Sequence, residues 1–403
     1  MLSSFFSLPK IGFYLLITFV LGLGLAIKAQ AQILQTSNLP IVVVETPQTI
    51  PDEPKILGTM GIIDNADQVN DLSDPYNDYD GNAAIELRGS SSQALFPKKN
   101  YGFELRTAAN QDTSVSIVGL PAEEDWVLHG PYSDKTMMRN FLTYTHYSYT
   151  GRYSSRTRFV ELMENDDYKG LYVMLEKIKR DSNRVDIAKL RDVEISGDDL
   201  TGGYIVKLDK EEGSNSNGFW ESPYPPLPGK VIRYQYDYPD GDEMAPEQRA
   251  YIEDYITAFE STFSLPNAGN DDGYPSYIDE DSFVDFALIN ELTKNIDGYR
   301  LSSFMYKDKD SKGGKLTMGP IWDFNLAMGN AGYCEAETTQ GWAWDFNLIC
   351  PDDYWLIPFY WDKLMSHTRF VDKMNSRWIE LRSGPWSDEN IAHLIDSTRT
   401  CLL

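Results

Sequence analysis

Stretches rich in hydrophobic residues recur through the first half of the chain, and at 83–88 and 100–106 they alternate with polar residues, a period of two that is typical of strands with one buried face. The pattern predicts strands at 41–45, 83–88, 100–106, 158–164, 170–177 and 203–209. From about residue 245 the apolar residues recur at helical spacing, which predicts helices at 248–262 and 282–294 after one earlier helix at about 134–149. Strands first and helices later is the order of an α+β protein.

A predicted hairpin near the centre of the chain carries an aspartate on each side. Its strands are 303–307 and 315–318; Asp297 precedes the first strand and Asp323 follows the second. Because a hairpin returns the chain to the edge from which it started, we expect both carboxylates at one end of the sheet. Mg²⁺ is bound by one or two carboxylates together with phosphate oxygens. Protein kinases use the same order, with a catalytic aspartate, a hairpin and then a metal-binding aspartate.

Composition and charge narrow the classes of function. The chain has 403 residues, of which 42% are hydrophobic and 24% charged, and this is typical of a globular protein with room for two domains or two lobes. The net charge of −25 argues against nucleic acid as a partner, since that role needs clustered Lys and Arg facing phosphates.

The N-terminus has the pattern of a secretory signal peptide. Lys10 precedes an apolar run at 11–27, and Ala29 and Ala31 form a small-x-small cleavage site. The pattern predicts a signal peptide at 1–31 and a secreted, cell-surface or periplasmic protein with no stable membrane span after cleavage. A retained anchor is the alternative, because a run of about 17 residues is at the lower limit for crossing a bilayer.

Three cysteines fit an oxidising compartment. Cys334 and Cys350 flank a tryptophan-rich segment, and a disulfide between them would leave Cys401 unpaired. No cysteine or histidine spacing in the sequence matches a zinc site.

Five sequence motifs occur in an order known from one family. They are Leu-Arg-Gly-Ser-Ser-Ser-Gln at 87–93, Pro-Lys-Lys-Asn-Tyr-Gly-Phe-Glu-Leu at 97–105, Asp-Lys-Thr-Met-Met-Arg-Asn at 134–140, Gly-Leu-Tyr-Val-Met-Leu-Glu-Lys-Ile at 170–178 and Ile-Trp-Asp at 321–323. From about residue 82 to about residue 380, the chain resembles a secreted bacterial-type member of the CotH (spore-coat protein H) kinase family. The resemblance implies an α+β, atypical protein-kinase-like fold with a strand-rich N-terminal lobe and a helix-rich C-terminal lobe. It also implies ATP and Mg²⁺ (or Mn²⁺) as cofactors, and Ser or Thr of a protein as the acceptor.

The N-terminal pattern and this resemblance together predict three parts of the chain. A signal peptide at 1–31 and an extension at 32–81 precede a kinase-like domain at 82–403. Within the domain we expect an N-terminal lobe at 82–209, a connection at 210–247 and a C-terminal lobe at 248–403, whose last helix is expected to continue beyond the sequence given. The acidic, turn-rich segment at 64–80, within the extension, is interpreted as a solvated loop, with Ca²⁺ binding at 71–80 as the alternative.

The two aspartates take the central roles in the resemblance. Asp323, in Trp-Asp-Phe-Asn, resembles the metal-binding aspartate of Asp-Phe-Gly. Asp297 resembles the acid of a catalytic loop, which orients the attacking hydroxyl or holds metal, and Asn295 is close enough to assist at the metal. The structural alternative for Asp297 is a turn residue before Gly298, and the alternative for Asp323 is a cap at the end of a strand.

A lysine is expected to hold the phosphates. Lys99 is the choice, as a catalytic and nucleotide-binding residue, while Lys98 alternates to the opposite face of the strand; which of the two points inward stays open. Glu176 resembles the family's acid at the matching place and could pair with that lysine or bind metal. Its alternative role is an exposed charge at a strand end.

Three further residues are predicted to contact the nucleotide. Arg139 and Asn140 would orient the site from the predicted helix, with a surface ion pair as the alternative. Arg88 is followed by the Gly-Ser segment at 89–92, whose backbone N–H groups could contact phosphate.

The standard kinase motifs are absent from this sequence, so three hypotheses are kept. The sequence contains no Gly-x-Gly-x-x-Gly loop, no Val-Ala-Ile-Lys and no His-Arg-Asp. The leading hypothesis is a secreted kinase that phosphorylates Ser or Thr of an extracytoplasmic or surface protein. The alternatives are a catalytically inactive, kinase-like surface or adhesion module that binds glycans or partner proteins, and a metal-dependent hydrolase that uses the same carboxylates.

Overall fold

The computed structural model describes residues 34–210 and 218–402, and the predicted signal peptide lies outside this part of the chain. Its strands are β1 (Thr36–Ser37), β2 (Ile41–Glu45), β3 (Ile56–Ile63), β4 (Asn70–Asp71), β5 (Tyr79–Arg88), β6 (Asn100–Arg106), β7 (Asp125–His129), β8 (Thr157–Glu164), β9 (Asp167–Glu176), β10 (Tyr204–Leu208), β11 (Phe219–Glu221), β12 (Arg233–Tyr238), β13 (Ser303–Lys307) and β14 (Thr317–Ile321). Its helices are α1 (Ser91–Leu95), α2 (Arg139–Ser148), α3 (Gly197–Leu200), α4 (Pro246–Ser261), α5 (Glu280–Thr293), α6 (Phe346–Ile349), α7 (Phe359–Ser366), α8 (Thr368–Arg382) and α9 (Asp388–Cys401). The predicted α+β class is confirmed.

Seven strands of the first half form a closed sheet in the order β2-β3-β5-β6-β7-β9-β8. Parallel pairing of β2 with β8, with Ile41 opposite Glu161, completes the closure. Closure leaves no strand of this sheet with an unpaired edge. The interior is filled by buried side chains that alternate along the strands, among them Val42, Ile62, Ile85, Phe103, Trp126, Leu162 and Met174.

The segment that the sequence grouped as an extension contributes to this barrel. β2 and β3 both lie within 32–81, and the expected boundary at residue 82 falls inside β5. Ile41, Val42 and Ile62 are fully buried. These two strands are therefore part of the barrel wall, and its core depends on them.

A second sheet of five antiparallel strands has the order β11-β12-β10-β13-β14. The predicted hairpin is present as β13 and β14. β12 lies in the segment 210–247, which the sequence predicts as a connection because it is rich in Pro and Gly. Its tyrosines nevertheless alternate, and Tyr234 and Tyr236 are buried against the helical half of the molecule.

Helix α5 occupies the centre of the second core. It is apolar on nearly all sides, with Phe283, Phe286 and Ile289 buried, as expected for a helix enclosed by other elements. Asp279 caps its first turn by accepting hydrogen bonds from the backbone N–H groups of Asp281 and Ser282.

Helix α2 packs between the barrel and the second core. Phe141 lies against the outer face of the barrel, whereas Tyr144 and Tyr147 belong to the second core. The helix is shorter than the predicted 134–149, because the Asp134 carboxylate accepts hydrogen bonds from the N–H groups of Thr136 and Arg139 and forms a separate turn before it.

The predicted disulfide between Cys334 and Cys350 is present, and Cys401 is free and exposed. Among the described residues, no helix combines the length and apolar character that crossing a bilayer requires.

The barrel core predicts that β3 is essential for stability. Ile62 is 0% exposed and Leu57, on the same strand, is 42% exposed. Ile62→Ala should lower the free energy of unfolding by about 2–5 kcal/mol, because it removes buried methylene groups and leaves a cavity. Leu57→Ala is the matched control and should change it by no more than about 0.5 kcal/mol. Urea unfolding measures both; equal effects would show that β3 does not close a core.

Candidate functional site

Three aspartates lie at one edge of the five-stranded sheet. β13 is antiparallel to both of its neighbours, and its first residue, Ser303, pairs with Leu208 on one side and Ile321 on the other. Asp209 directly follows Leu208, and Asp323 comes two residues after Ile321. Asp297 lies in the turn that leads into β13. The sheet topology therefore brings all three carboxylates to the same end.

The turn that carries Asp297 is held by the end of α5. Lys294 adopts a left-handed conformation after the helix, and the Gly298 N–H donates to the Asn295 carbonyl at 3.0 Å. A Cβ at Gly298 would lie 2.2 Å from Oδ1 of Asn290, so only glycine fits there. The Asp297 carboxylate accepts hydrogen bonds from Arg300 at 2.7 Å and from Tyr333 at 2.9 Å, both at Oδ1.

Asp323 is fixed through its backbone. Its φ is +58°, a left-handed conformation that is unusual for a residue other than glycine. The Asp323 N–H donates to the Tyr144 hydroxyl at 3.0 Å, and the following N–H, of Phe324, donates to Oδ1 of Asn140 at 2.7 Å. Asn140, which the sequence predicts as a nucleotide contact, lines the cavity and holds the backbone of the Trp-Asp-Phe segment.

Asp209 is a member of this group that sequence reasoning did not select. One oxygen accepts from the Lys210 N–H at 2.8 Å, and the other accepts from the Ser302 hydroxyl at 3.3 Å. Burial raises its pKa. The available signal was a carboxylate directly after a buried strand, Tyr-Ile-Val-Lys-Leu-Asp, but only the register with β13 shows that it meets the other two acids.

The three carboxylates open into a cavity of about 580 Å³. Its wall on the barrel side includes Arg88, Val127, His129 and Leu175 and the Ser-rich segment at 89–92, and its other wall includes Asp209, Lys210, Asp297, Ser302, Trp322, Asp323, Asn325, Tyr333, Asp353 and Trp355. This volume is within the range of sites for small ligands and cofactors. Burial lowers the pKa of His129 to about 4, so its imidazole is neutral at pH 7.

Charge is unevenly distributed in the cavity. Burial raises the pKa of Asp323 to about 7, and the neighbouring negative charges of Asp297 and Asp209 act in the same direction. The positive charges of Arg88 and Lys210 lower the pKa of Asp323 and so offset part of this effect. The Arg88 guanidinium lies over the Trp322 ring at 5.5 Å, and Nζ of Lys210 donates to the Ser91 hydroxyl at 3.0 Å.

The carboxylate group fits a divalent cation. Hard cations such as Mg²⁺ and Mn²⁺ take oxygen ligands, and a cation bound here would stabilise the ionised form of Asp323, whose pKa burial and the charges of Asp297 and Asp209 raise. The oxygens of Asp209, Asp297 and Asp323 do not all lie within 4.8 Å of one another, so one or two of these carboxylates, together with phosphate oxygens, could hold the cation.

The two lysines named from the sequence lie outside the lining of the cavity. Nζ of Lys99 donates to the carbonyl oxygens of Gln93 and Phe96, so it holds the segment that contains α1. Nζ of Lys98 donates to the carbonyl oxygens of Lys169 and Leu171 on β9. Lys210, which lines the cavity, was not selected because it is in a segment interpreted as a connection.

Three other predicted residues lie behind the cavity wall. Glu176 is fully buried and accepts from Tyr153 at 3.1 Å and from the Arg156 side chain at 3.3 Å. Arg139 pairs with Asp134 and donates from Nε to the Ala327 carbonyl at 3.0 Å. Asn295 is buried and donates to Oδ1 of Asn290 at 3.2 Å, so it shapes the Asp297 turn.

Two other acidic groups among the described residues have internal partners. Glu123, Glu124 and Asp125 surround Nζ of Lys179, at 3.0, 2.6 and 2.7 Å. In the acidic loop, the Asp71 carboxylate accepts from the N–H and hydroxyl of Ser73.

Comparison with family models relates the chain to a known family. The family model described as CotH kinase protein matches residues 85–402. The chain belongs to the CotH kinase family. The CotH match begins inside β5, so β2 and β3 of the barrel precede it. No curated protein matches the chain. Family membership supports a kinase-like function, and ATP and a divalent metal are the cofactors that such a function suggests.

The high pKa of Asp323 predicts that cation binding depends on pH. The free protein holds a proton on Asp323 below about pH 7, and a bound cation requires the carboxylate. Mn²⁺ affinity should therefore rise by about tenfold per pH unit up to about pH 7 and level off above it. Calorimetry at several pH values, in buffers of different ionisation enthalpy, should show proton release at low pH. Asp323→Asn should lose most of the affinity and weaken its pH dependence, while a contribution from Asp209 is retained. An unchanged Mn²⁺ affinity of the wild-type protein between about pH 6 and pH 8 would contradict the assignment.

Proposed function

We propose that this protein is an atypical, metal-dependent protein kinase that transfers the γ-phosphate of ATP to Ser or Thr of an extracytoplasmic or surface protein. The observation that carries the proposal is the convergence of Asp209, Asp297 and Asp323 with Arg88 and Lys210 in one cavity of a CotH kinase family member. Phosphoryl transfer depends mainly on positioning and on neutralising charge on the phosphate oxygens, and this arrangement supplies both.

We assign the two halves of the molecule to the two lobes of a kinase-like arrangement. The barrel provides the N-terminal lobe, and the five-stranded sheet with its helices provides the C-terminal lobe. The cavity between them has walls from both, with Arg88 at the end of β5 and the three aspartates at the edge of the second sheet.

The acidic residues are assigned to the divalent cation and the basic residues to the phosphates. Asp323 and Asp209 would hold the divalent cation, with Asp297 beside them; a cation bound there supplies positive charge to the phosphate oxygens. Arg88 and Lys210 face the same cavity and would bind the phosphates by charge-assisted hydrogen bonds. The backbone of the Ser-rich segment at 89–92 lines the same wall.

Asp297 is assigned to the acceptor hydroxyl. Both of its hydrogen bonds go to Oδ1, and none among the described residues goes to Oδ2, which is the oxygen we assign to the hydroxyl. The hydroxyl oxygen forms a bond to the γ-phosphorus as the bond to the bridging oxygen breaks. ADP leaves, and Asp297 accepts the hydroxyl proton before it passes to solvent.

The extracytoplasmic location is supported by two features. The N-terminal sequence has the signal-peptide pattern, and the disulfide between Cys334 and Cys350 fits an oxidising compartment.

Phosphate incorporation from γ-labelled ATP with Mg²⁺ or Mn²⁺ tests the function. The purified protein should phosphorylate itself or an added protein, and Asp297→Asn and Asp323→Asn should each lower the rate by about 100-fold or more. Asp396→Asn is the control, since Asp396 is 73% exposed on α9, and it should keep the wild-type rate. A folded protein that neither incorporates phosphate nor gains thermal stability with ATP and metal would defeat the proposal.

Lys99 and Lys210 give opposite predictions for nucleotide binding. If Lys210 binds phosphate, Lys210→Ala should weaken ATP affinity by about tenfold or more, because the substitution removes a hydrogen bond to a charged group. Lys99→Ala removes the support of the α1 segment and should have a smaller effect. A larger loss in Lys99→Ala than in Lys210→Ala, measured by nucleotide titration, would favour the sequence-based assignment instead.

A further inference from the structure

Asp297 is held from two directions. Nη2 of Arg300 donates to its Oδ1 at 2.7 Å, and the Tyr333 hydroxyl donates to the same oxygen at 2.9 Å. Asp297 itself is half-buried at the cavity wall. The direction of its carboxylate therefore depends on where Arg300 and Tyr333 are fixed.

Arg300 is a fixed and buried cation. It is 4% exposed and lies 3.9 Å over the Phe346 ring. Its Nη1 donates to the Trp355 carbonyl at 3.1 Å and to Asp353 at 3.4 Å. A buried guanidinium must keep its partners, so displacing the segment that carries Asp353 and Trp355 would disturb its bond to Asp297.

Tyr333 and the residues that hold Arg300 lie next to the disulfide. Tyr333 directly precedes Cys334, and Asp353 follows Cys350 by three residues. Phe346, which lies under Arg300, belongs to the segment that the disulfide closes. One covalent bond thus ties together the two pieces of backbone that hold Asp297.

We propose that the Cys334–Cys350 disulfide is a redox-sensitive clamp that positions Asp297 through Tyr333 and Arg300. The inference rests on the proposed function, in which Asp297 meets the acceptor hydroxyl. A dithiol reductant opens the clamp: it gives two electrons and two protons to the sulfur atoms, is itself oxidised to a disulfide, and leaves Cys334 and Cys350 as thiols.

Reduction should act locally. Both cysteines are partly exposed, so a reductant can reach the bond. Glu291 on α5 accepts from the N–H groups of Ala343 at 2.8 Å and Trp344 at 3.1 Å, and Lys294 donates to the Glu335 carbonyl at 2.9 Å. The segment between the cysteines is therefore still attached to α5 after reduction, whereas Tyr333 and Asp353 lose their common tether. Arg300 and Tyr333 are accordingly positioning residues for Asp297.

Hydrogen exchange of the Asp297 turn tests the clamp directly. The experiment uses Cys401→Ser protein, so that the exposed thiol does not contribute, in oxidised and fully reduced form and with Cys334→Ser/Cys350→Ser added. Amides at 295–301 should exchange about tenfold faster after reduction, and kcat should fall by about tenfold with little change in the KM for ATP, which corresponds to losing one hydrogen bond to a charged group. Equal exchange at 295–301 in the oxidised and reduced forms would overturn the inference.

Single substitutions separate positioning from general stability. Tyr333→Phe removes only the hydroxyl and should lower kcat in the oxidised protein while making it less sensitive to reduction, since one support is already lost. Tyr354→Phe is the matched control: its hydroxyl bonds Arg233 and not Asp297, and the effect of reduction should match the wild type. If Tyr333→Phe is as sensitive to reduction as Tyr354→Phe, the clamp does not act through Tyr333.

The outcomes distinguish the inference from the function on which it rests. Oxidised wild-type protein without phosphotransfer would defeat the proposed function, and the exchange measurement would still decide whether the disulfide positions Asp297. Phosphotransfer that is active and equal in both redox states, with unchanged exchange, would defeat the clamp alone.

Discussion

The burial of Asp323 beside two other carboxylates is the constraint on which the site depends. Asp209, Asp297 and Asp323 meet at one sheet edge, and burial together with the charges of the other two raises the pKa of Asp323 to about 7. A fold that gathers these charges must balance them, and it does so with Arg88 and Lys210 in the cavity. Arg300 pairs with Asp297 from behind. In the proposed function, a divalent cation held by these carboxylates would add the positive charge that the phosphates of a nucleotide need.

Neither half of the molecule could provide this cavity alone. The barrel contributes Arg88 from the end of β5, and the second sheet contributes the acids. Helix α2 fixes the position of the barrel relative to the second sheet. Its Phe141 packs on the barrel, and its Tyr144 accepts a hydrogen bond from the Asp323 backbone N–H. The packing of α2 therefore supports the left-handed backbone conformation that directs Asp323 into the site.

Lys99 and Glu176, which the sequence predicts at the nucleotide, show what a sequence pattern does not determine. Lys99 and Glu176 are charged residues at strand ends, and such a position does not show which way a side chain turns. In the folded chain Lys99 binds the carbonyl oxygens around α1, and Glu176 turns inward to Tyr153 and Arg156. Lys210 and Asp209 were missed for the converse reason: their importance comes from β10 lying beside β13, a pairing between segments almost one hundred residues apart.

The sequence alone determined the α+β class, most of the strands, the central hairpin with Asp297 and Asp323, and the resemblance to the CotH kinase family. Those features are local, since the period of hydrophobic residues and the order of motifs can be read along the chain. The folded structure was needed to show that β2 and β3 complete a barrel, that Asp209 and Lys210 join the site, and that Tyr333 and Arg300 converge on Asp297. Tyr333 lies beside Cys334, and the segment after Cys350 holds Arg300. The physical reason is that closure, burial and charge balance depend on distances between remote segments, and no local pattern encodes those distances.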